Sequence, residues 1–573
     1  MLNLLLSAKI PMAQWVEVIT DWITRTFSGL FSFLQTIGQV VMNSLTSLFL
    51  VIPPIILIIV ITVVAYYISN HKKGLPIFTF LGLLFIYNQG LWENLMSTFT
   101  LVLIASLLSI IIGVPLGILM AKNDKAQAII TPILDFMQTM PGFVYLIPAV
   151  AFFGIGMVPG VFASIIFALP PTVRFTNLGI RQVPEELVEA ADSFGSTGSQ
   201  KLFKLELPLA KSTILAGINQ TTMLALSMVV IASMIGAPGL GRDVLSALQR
   251  AQVGNGFVSG LALVILAIII DRFTQYLNKP NSSDKDDKKK MKKSTIITII
   301  VAILVAFGIY TAVSNHTEGD KSINLAYVEW DSEVASTHVV AEVLKEQGYD
   351  VEITPLDNAI MWQSLATGKA DASVSAWLPN THQSQLEEYQ DDINLIGDNL
   401  TGARVGLVVP TYMGIKSIDD LNTQAGQKII GIEPGAGVVN AAEETIQTYP
   451  NLKDWTLDAS SSGAMVVALD QAIKKEEPIV ITGWTPHWMF SKYDLTYLED
   501  PKGTMGEEET INTMTRKDLQ QDSPEAFAIL EKFHWTPEDL EVVMLDINSG
   551  ASPEQAAKKW VQDNPDKVAK WTN

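Results

Sequence analysis

The sequence predicts a multi-span α-helical membrane domain followed by a two-lobed α/β domain. Three observations carry that expectation. Mean hydropathy is +0.30 with only 17% charged residues, as in membrane proteins. The formal charge is nevertheless −19, with the acidic residues gathered beyond residue 320. From Ser322 the pattern turns from long apolar runs to short β-branched runs alternating with amphipathic helical stretches. A chain of 573 residues has room for a membrane unit and a soluble-type domain of about 250 residues. It contains no cysteine, which excludes disulfides, thiolate metal sites, cysteine nucleophiles and a cysteine-borne lipid anchor. The start, MLNLLLSAKIPMAQW, lacks the basic region and cleavage site of a signal peptide, so no cleaved leader is expected.

A helix needs about 20 apolar residues to cross the hydrocarbon core. Leu45–Ile68, Leu95–Ala121, Phe143–Ile155 with its flanks, Thr213–Ile235, Phe257–Leu277 and Ser294–Ser314 meet that need. Leu75–Asn88 and Val158–Val173 are shorter, giving about eight crossings in all. Basic residues sit at His71-Lys72-Lys73, Lys122–Lys125, within 174–211 and in the run 285–293. With each of these in the cytoplasm the crossings alternate, leaving the N-terminus and everything after about residue 315 outside. Residues 12–43 mix Trp15, Trp22, Phe27, Phe31 and Phe33 with Glu17, Asp21 and Arg25. They read equally as an interfacial amphipathic helix or as the lead-in to a span.

NKPNSSDKDDKKKMKK (278–293) is a solvated charged linker, a topology determinant that can also meet anionic lipid. STIITIIVAILVAFGIYTAVS (294–314) then serves as a tether helix. The expected domains are an N-terminal amphipathic helix and scaffold spans over 1–90, a membrane core over 91–277, the linker 278–293, the tether helix 294–314 and an outer α/β domain over 320–573.

In the last domain INLAYVEW, YDVEITPL, DASVSAWLP, GARVGLVVP, KIIGIEPG and EPIVITGW read as strands, with helices between several of them. That alternation predicts parallel sheets, two of them, with ligand sites at strand carboxyl ends. Three of those ends carry tryptophan: Trp330, Trp377 and Trp484. Core packing is one reading of such rings in a chain with 12 Trp. The other is a box of π-faces suited to a quaternary ammonium. Gly431–Val439 is strand, glycine-rich turn, then helix, whose free N-terminal N–H groups suit a carboxylate. The G-x-G-x-x-G and GxxxxGK[ST] spacings are absent. His382, five residues after Trp377, can donate to the same carboxylate; His487, three after Trp484, competes for that part.

Between apolar segments lies RQVPEELVEAADSFGSTGSQKLFKLELPLA (181–210), polar and helical in pattern. Glu189-Ala190-Ala191, Gly195 and Leu207-Pro208 resemble the "EAA…G…LP" loop of ABC importer permeases. AYVEWDSEVAS, SAWLPNTH, GIEPGAGVV and ITGWTPHWMF resemble the signatures of bacterial glycine betaine-binding proteins. Together the chain resembles a permease–receptor fusion subunit of an osmoprotectant ABC importer. The resemblance implies a type I importer-like permease joined to a periplasmic-binding-protein-like domain. It implies that Trp330, Trp377 and Trp484 cage the cation, while Gly437, Val438 and His382 hold the carboxylate. Residues 189–191, 195, 207 and 208 would couple to a separate ATPase subunit that binds ATP and Mg. A second copy of the chain is implied, in a bacterial cell membrane, and no cofactor resides in the chain itself. Nothing points to nucleic acid, to a metal site or to an enzyme. The rival readings are an importer of carnitine or choline, or a membrane-anchored betaine sensor.

Overall fold

A computed structural model describes residues 12–249, 252–278 and 321–572. The linker from 279 on and the tether 294–314 lie outside the described residues. The chain divides into two compact units, one helical and one α/β.

In the helical unit, Met12–Thr26 is a separate helix and Ser28–Val51 a second. The expected span Leu45–Ile68 is not continuous. Pro53 caps the following helix, Pro54–Ile68, and Pro54 lacks the N–H that would extend the ladder. Pro54–Ile68 and Gly74–Asn88 have 15 residues each, about 22 Å of helix against a core of about 30 Å. Phe143–Ile155 is likewise no span of its own. Gly142–Phe153 forms one arm of a pair with Asp124–Thr139, bent by 107° after the break at Met140-Pro141. The helices long and apolar enough to cross are Ser28–Val51, Trp92–Lys122, Met157–Arg181, Gly198–Ser233 and Val253–Tyr276. That makes five among the described residues, or six with the bent pair, against the seven expected there; the eighth expected crossing, 294–314, lies outside them. Part of the stretch 12–43 thus belongs to a long apolar helix, and the amphipathic reading is left to Met12–Thr26.

Small residues let these helices approach closely. A Cβ on Gly117 would stand 2.6 Å from the Val173 carbonyl oxygen, and one on Gly217 2.5 Å from Phe175. Polar side chains join helices inside the bundle: Thr172 to Thr221 at 2.8 Å, and Asn219 to Asp271 at 3.0 Å.

The α/β unit contains β1 (Ser322–Tyr327), β2 (Asp350–Pro355), β3 (Ala372–Leu378), β4 (Ile393–Pro410) and β5 (Lys428–Gly431). It continues with β6 (Thr456–Ala459), β7 (Val480–Thr485), β8 (Leu495–Tyr497) and β9 (Glu509–Arg516). The strands follow one hydrogen-bonded order, β2-β1-β3-β9-β4-β7-β5-β6, with β8 also on β4. Two lobes share this path. In lobe one β1 pairs in parallel with β2 and β3, while β9 runs antiparallel to β3 and to β4 as far as Ala403. In lobe two β4 from Arg404 runs antiparallel to β7 and β8, and β5 is parallel to β6 and β7. The sheets are therefore mixed, because one 18-residue strand passes through both lobes and β9 returns beside it. Fully buried β3 has Ala372, Val374, Ala376 and Leu378 on one face and the small or aromatic Ser373, Ser375 and Trp377 on the other, so both faces are covered.

Candidate functional site

Trp330, Trp377 and Trp484 stand where the strand pattern places them. Trp330 is the residue before helix Asp331–Glu346, Trp377 lies near the end of β3, and Trp484 near the end of β7. All three are buried, and all line one cavity of about 20 Å3 in the cleft between the lobes. Gly437 and Val438 line it too. Two tryptophans therefore come from lobe one, while the third and both backbone positions come from lobe two. The packing reading and the pocket reading are both partly met: the rings are buried, yet they converge on a space rather than on one another.

Helix Gly437–Thr448 starts without a side-chain cap. Its first inward hydrogen bond is from Val439 N–H to Ala436 O at 3.0 Å, so the N–H groups of Gly437 and Val438 precede the ladder. Gly437 is required here by close approach, since a Cβ would stand 2.1 Å from the Thr381 carbonyl oxygen of the opposite lobe.

His382 is fully buried and does not line the cavity directly. Its ring stacks on Trp330 with centroids 6.0 Å apart and meets Trp362 edge-on at 5.6 Å. Nδ1 accepts the Trp377 N–H at 3.1 Å, which puts the ring proton on Nε2. Nε2 is buried and has no partner. Burial lowers the ring's pKa from 6.5 to about 3, so it is a neutral donor near neutral pH. His487 is different. Its Nδ1 accepts Met489 N–H at 3.1 Å, and Nε2 faces Asp331 Oδ2 at 3.2 Å. Of the two histidines, His382 thus has an unpartnered ring nitrogen, while both ring nitrogens of His487 are engaged.

Several residues here were not singled out from sequence. Ser332 lines the cavity with its buried Oγ unpartnered. Glu433 accepts the indole N–H of Trp330 at 3.1 Å and the Ser462 N–H at 3.0 Å. Desolvation pushes its carboxyl above the usual range. Glu509 takes the N–H groups of Asn380 and Thr381, both at 2.7 Å, and so fixes the turn that meets Gly437. A buried, hydrogen-bonded glutamate has no local sequence signature; only the fold pairs it.

In the helical unit, Pro184 opens helix Glu185–Ser193, which holds Glu189, Ala190 and Ala191. Gly195 follows at φ +75°, and the stop is a complete Schellman motif: Gly195 N–H to Asp192 O at 2.8 Å, Ser196 N–H to Ala191 O at 3.0 Å. Thr197 and Gln200 then form a capping box. A π-turn over Leu202–Glu206, closed by Leu207 N–H on Leu202 O, leads into Pro208, whose missing N–H a wider turn accommodates. The loop's surface is open: Leu187, Phe194 and Phe203 are exposed, Phe194 by 90%.

A membrane helix bundle with such a loop, in one chain with a two-lobed cleft, defines a transport subunit that carries its own receptor. Residues 113–280 match the family of binding-protein-dependent transport system inner membrane components. Residues 321–563 match the substrate-binding domain of ABC-type glycine betaine transport systems. The glycine betaine/carnitine transport permease protein of Listeria monocytogenes is 56% identical over 277 residues, 48% of this chain and 98% of its own length. The glycine betaine transport permease of Bacillus subtilis is 50% identical, over 48% and 97%. Lactococcal OpuAC, solved closed with glycine betaine, shares 57% identity over 44% of this chain and all of its own, at a TM-score of 0.44. The chain belongs to the glycine betaine ABC transport permeases, with the substrate-binding domain of that system fused behind the permease.

Proposed function

We propose that this chain takes up glycine betaine, and proline betaine with it, as an osmoprotectant, driven by ATP hydrolysed on a separate subunit. The observation that carries this reading is the single cavity lined by Trp330, Trp377 and Trp484, with the N–H groups of Gly437 and Val438 beside it. A trimethylammonium group cannot accept or donate hydrogen bonds, so aromatic faces recognise it, each contributing about 0.5–2 kcal/mol. The carboxylate is met by the two N–H groups from lobe two and by Nε2–H of His382 from lobe one. Because each lobe supplies part of each half-site, the solute joins the lobes and closure buries it.

The exposed loop 181–210 is the docking element for the ATPase, with Glu189, Ala190, Ala191, Gly195, Leu207 and Pro208 shaping it. ATP and Mg belong to that partner, and the chain needs no cofactor of its own. Two copies of the chain form the pathway, in a cell membrane whose anionic lipids meet the run 285–293. The basic loops face the cytoplasm and the receptor faces out, an orientation supported by Lys and Arg placement. Transport then follows from solute capture outside, docking of the receptor on the permease, and ATP-driven exposure of the pathway.

Calorimetry of the purified chain against glycine betaine, proline betaine, carnitine and choline tests the reading. Binding of both betaines, with choline weak for lack of a carboxylate, is expected; tight choline binding with no betaine heat refutes it. Carnitine is the second reading, favoured by the name of the Listeria relative, and its rank in the same titration decides that point.

A further inference from the structure

The cleft is bridged beside the cavity by two polar contacts whose four side chains are all outside the cation cage and carboxylate set except Trp330. Glu433 of lobe two accepts Trp330 Nε1–H at 3.1 Å, and His487 of lobe two meets Asp331 of lobe one at 3.2 Å. Both contacts land on the adjacent pair Trp330-Asp331 at the start of helix Asp331–Glu346. Each lobe-two partner is fixed from behind within its own lobe. The second carboxylate oxygen of Glu433 holds Ser462 N–H at 3.0 Å, and His487 Nδ1 holds Met489 N–H at 3.1 Å. The His487 ring is further set by Trp484 edge-on at 4.6 Å and by Trp488 at 5.3 Å.

We propose that Glu433 and the Asp331–His487 pair form a two-point latch that holds the receptor shut and sets how long a captured solute stays. They are positioning residues: they hold the lobes and the Trp330 ring, and solute is held by the cage. The reason is geometric. Both bonds span lobes, so both exist only in the closed form, and opening must break both at once. An interaction present only after closure slows release without speeding capture. Trp330 thereby senses closure, since its ring rests on His382 of its own lobe while its N–H is held by the other lobe.

The inference rests on the betaine reading of the cavity, and its test separates the two. The full chain in lipid nanodiscs is loaded with radiolabelled glycine betaine and chased with excess unlabelled solute. Glu433→Ala and Asp331→Ala are each expected to raise the dissociation rate about tenfold, with association within about twofold. Asp331→Asn, which keeps an acceptor for His487 Nε2–H, is expected to recover most of the loss. In a Trp330→Phe background, which keeps an aromatic face but removes the indole N–H, Glu433→Ala is expected to add less than about twofold. Unchanged dissociation, an equal loss in association, or a full Glu433→Ala effect on top of Trp330→Phe overturns the latch. Should the wild type retain no betaine, the ligand reading fails, and lobe motion decides instead. The chain has no native cysteine, so dyes at Glu387→Cys and Lys453→Cys report closure by energy transfer. Shorter closed dwells in Glu433→Ala and Asp331→Ala support the latch, and unchanged dwells refute it.

Discussion

His382 shows how one side chain is read differently at two depths. Its spacing from Trp377 was visible in the sequence; its protonation state was not, because that depends on burial among Trp330, Trp362 and the Trp377 backbone. The unfolded ring titrates near 6.5 and the folded one near 3, so between those values the unfolded chain binds the extra proton. Stability is therefore full above about pH 6.5 and is lost as pH falls toward 3, by up to about 1.4 kcal/mol per unit from this group. The melting midpoint of the wild type should fall more than that of His382→Gln between about pH 6.5 and pH 4.5; parallel curves would show the ring is not held neutral. For the cage, Trp377→Ala and Trp484→Ala should each weaken betaine binding about 2- to 30-fold in calorimetry. Gly437→Ala should do worse, since its Cβ meets the Thr381 carbonyl at 2.1 Å and blocks closure; affinity within twofold of wild type would contradict that. These tryptophans and glycines were legible because strand ends announce pockets. Glu433 and Ser332 were not, because each gains its meaning from a neighbour distant in sequence or from the cavity.

At the level of elements, the loop was legible as polar and helical over 181–210, and the break inside it, after Ser193, has a chemical stop signal in Gly195. Only a left-handed residue completes the two bonds that end helix Glu185–Ser193, and glycine takes that conformation without cost. Gly195→Val should destabilise the loop by about 1 kcal/mol or more and reduce co-purification of the partner ATPase, while betaine binding stays at the wild-type value. Full ATPase recovery with Gly195→Val would remove the loop from the docking surface. Spans were less legible. Hydropathy averages over a window and merged the end of Ser28–Val51, from Leu45, with Pro54–Ile68, although Pro53 and Pro54 interrupt the run. It also read Gly142–Phe153 as a crossing, where the 107° bend makes it one arm of a pair. Mixed sheet polarity escaped for a related reason: the first half of β4 and all of β9 are polar, half-exposed or interrupted by register shifts, so neither gives a clean alternation.

For the whole molecule, one chain holding pathway and receptor predicts that defects separate cleanly. In proteoliposomes with the ATPase, Trp484→Ala should weaken binding and, at limiting betaine, uptake by a similar factor, whereas Glu189→Ala with Gly195→Val should keep binding and lose uptake. Loss of binding in the loop variant would mean that the two units are not independent in solute capture. The division into two units was plain from composition alone; the shared strand was not, since nothing in INLIGDNLTGARVGLVVP marks where one lobe hands it to the other. That strand has a mechanical consequence. Because β4 is anchored to β9 up to Ala403 and to β7 from Arg404, the lobes are joined like the leaves of a spring hinge rather than by a slack cord. The ladder between β4 and β9 is interrupted by register shifts over 395–403, so just before the hand-over at Ala403-Arg404 the shared strand is held by fewer regular backbone bonds than an unbroken ladder would give it.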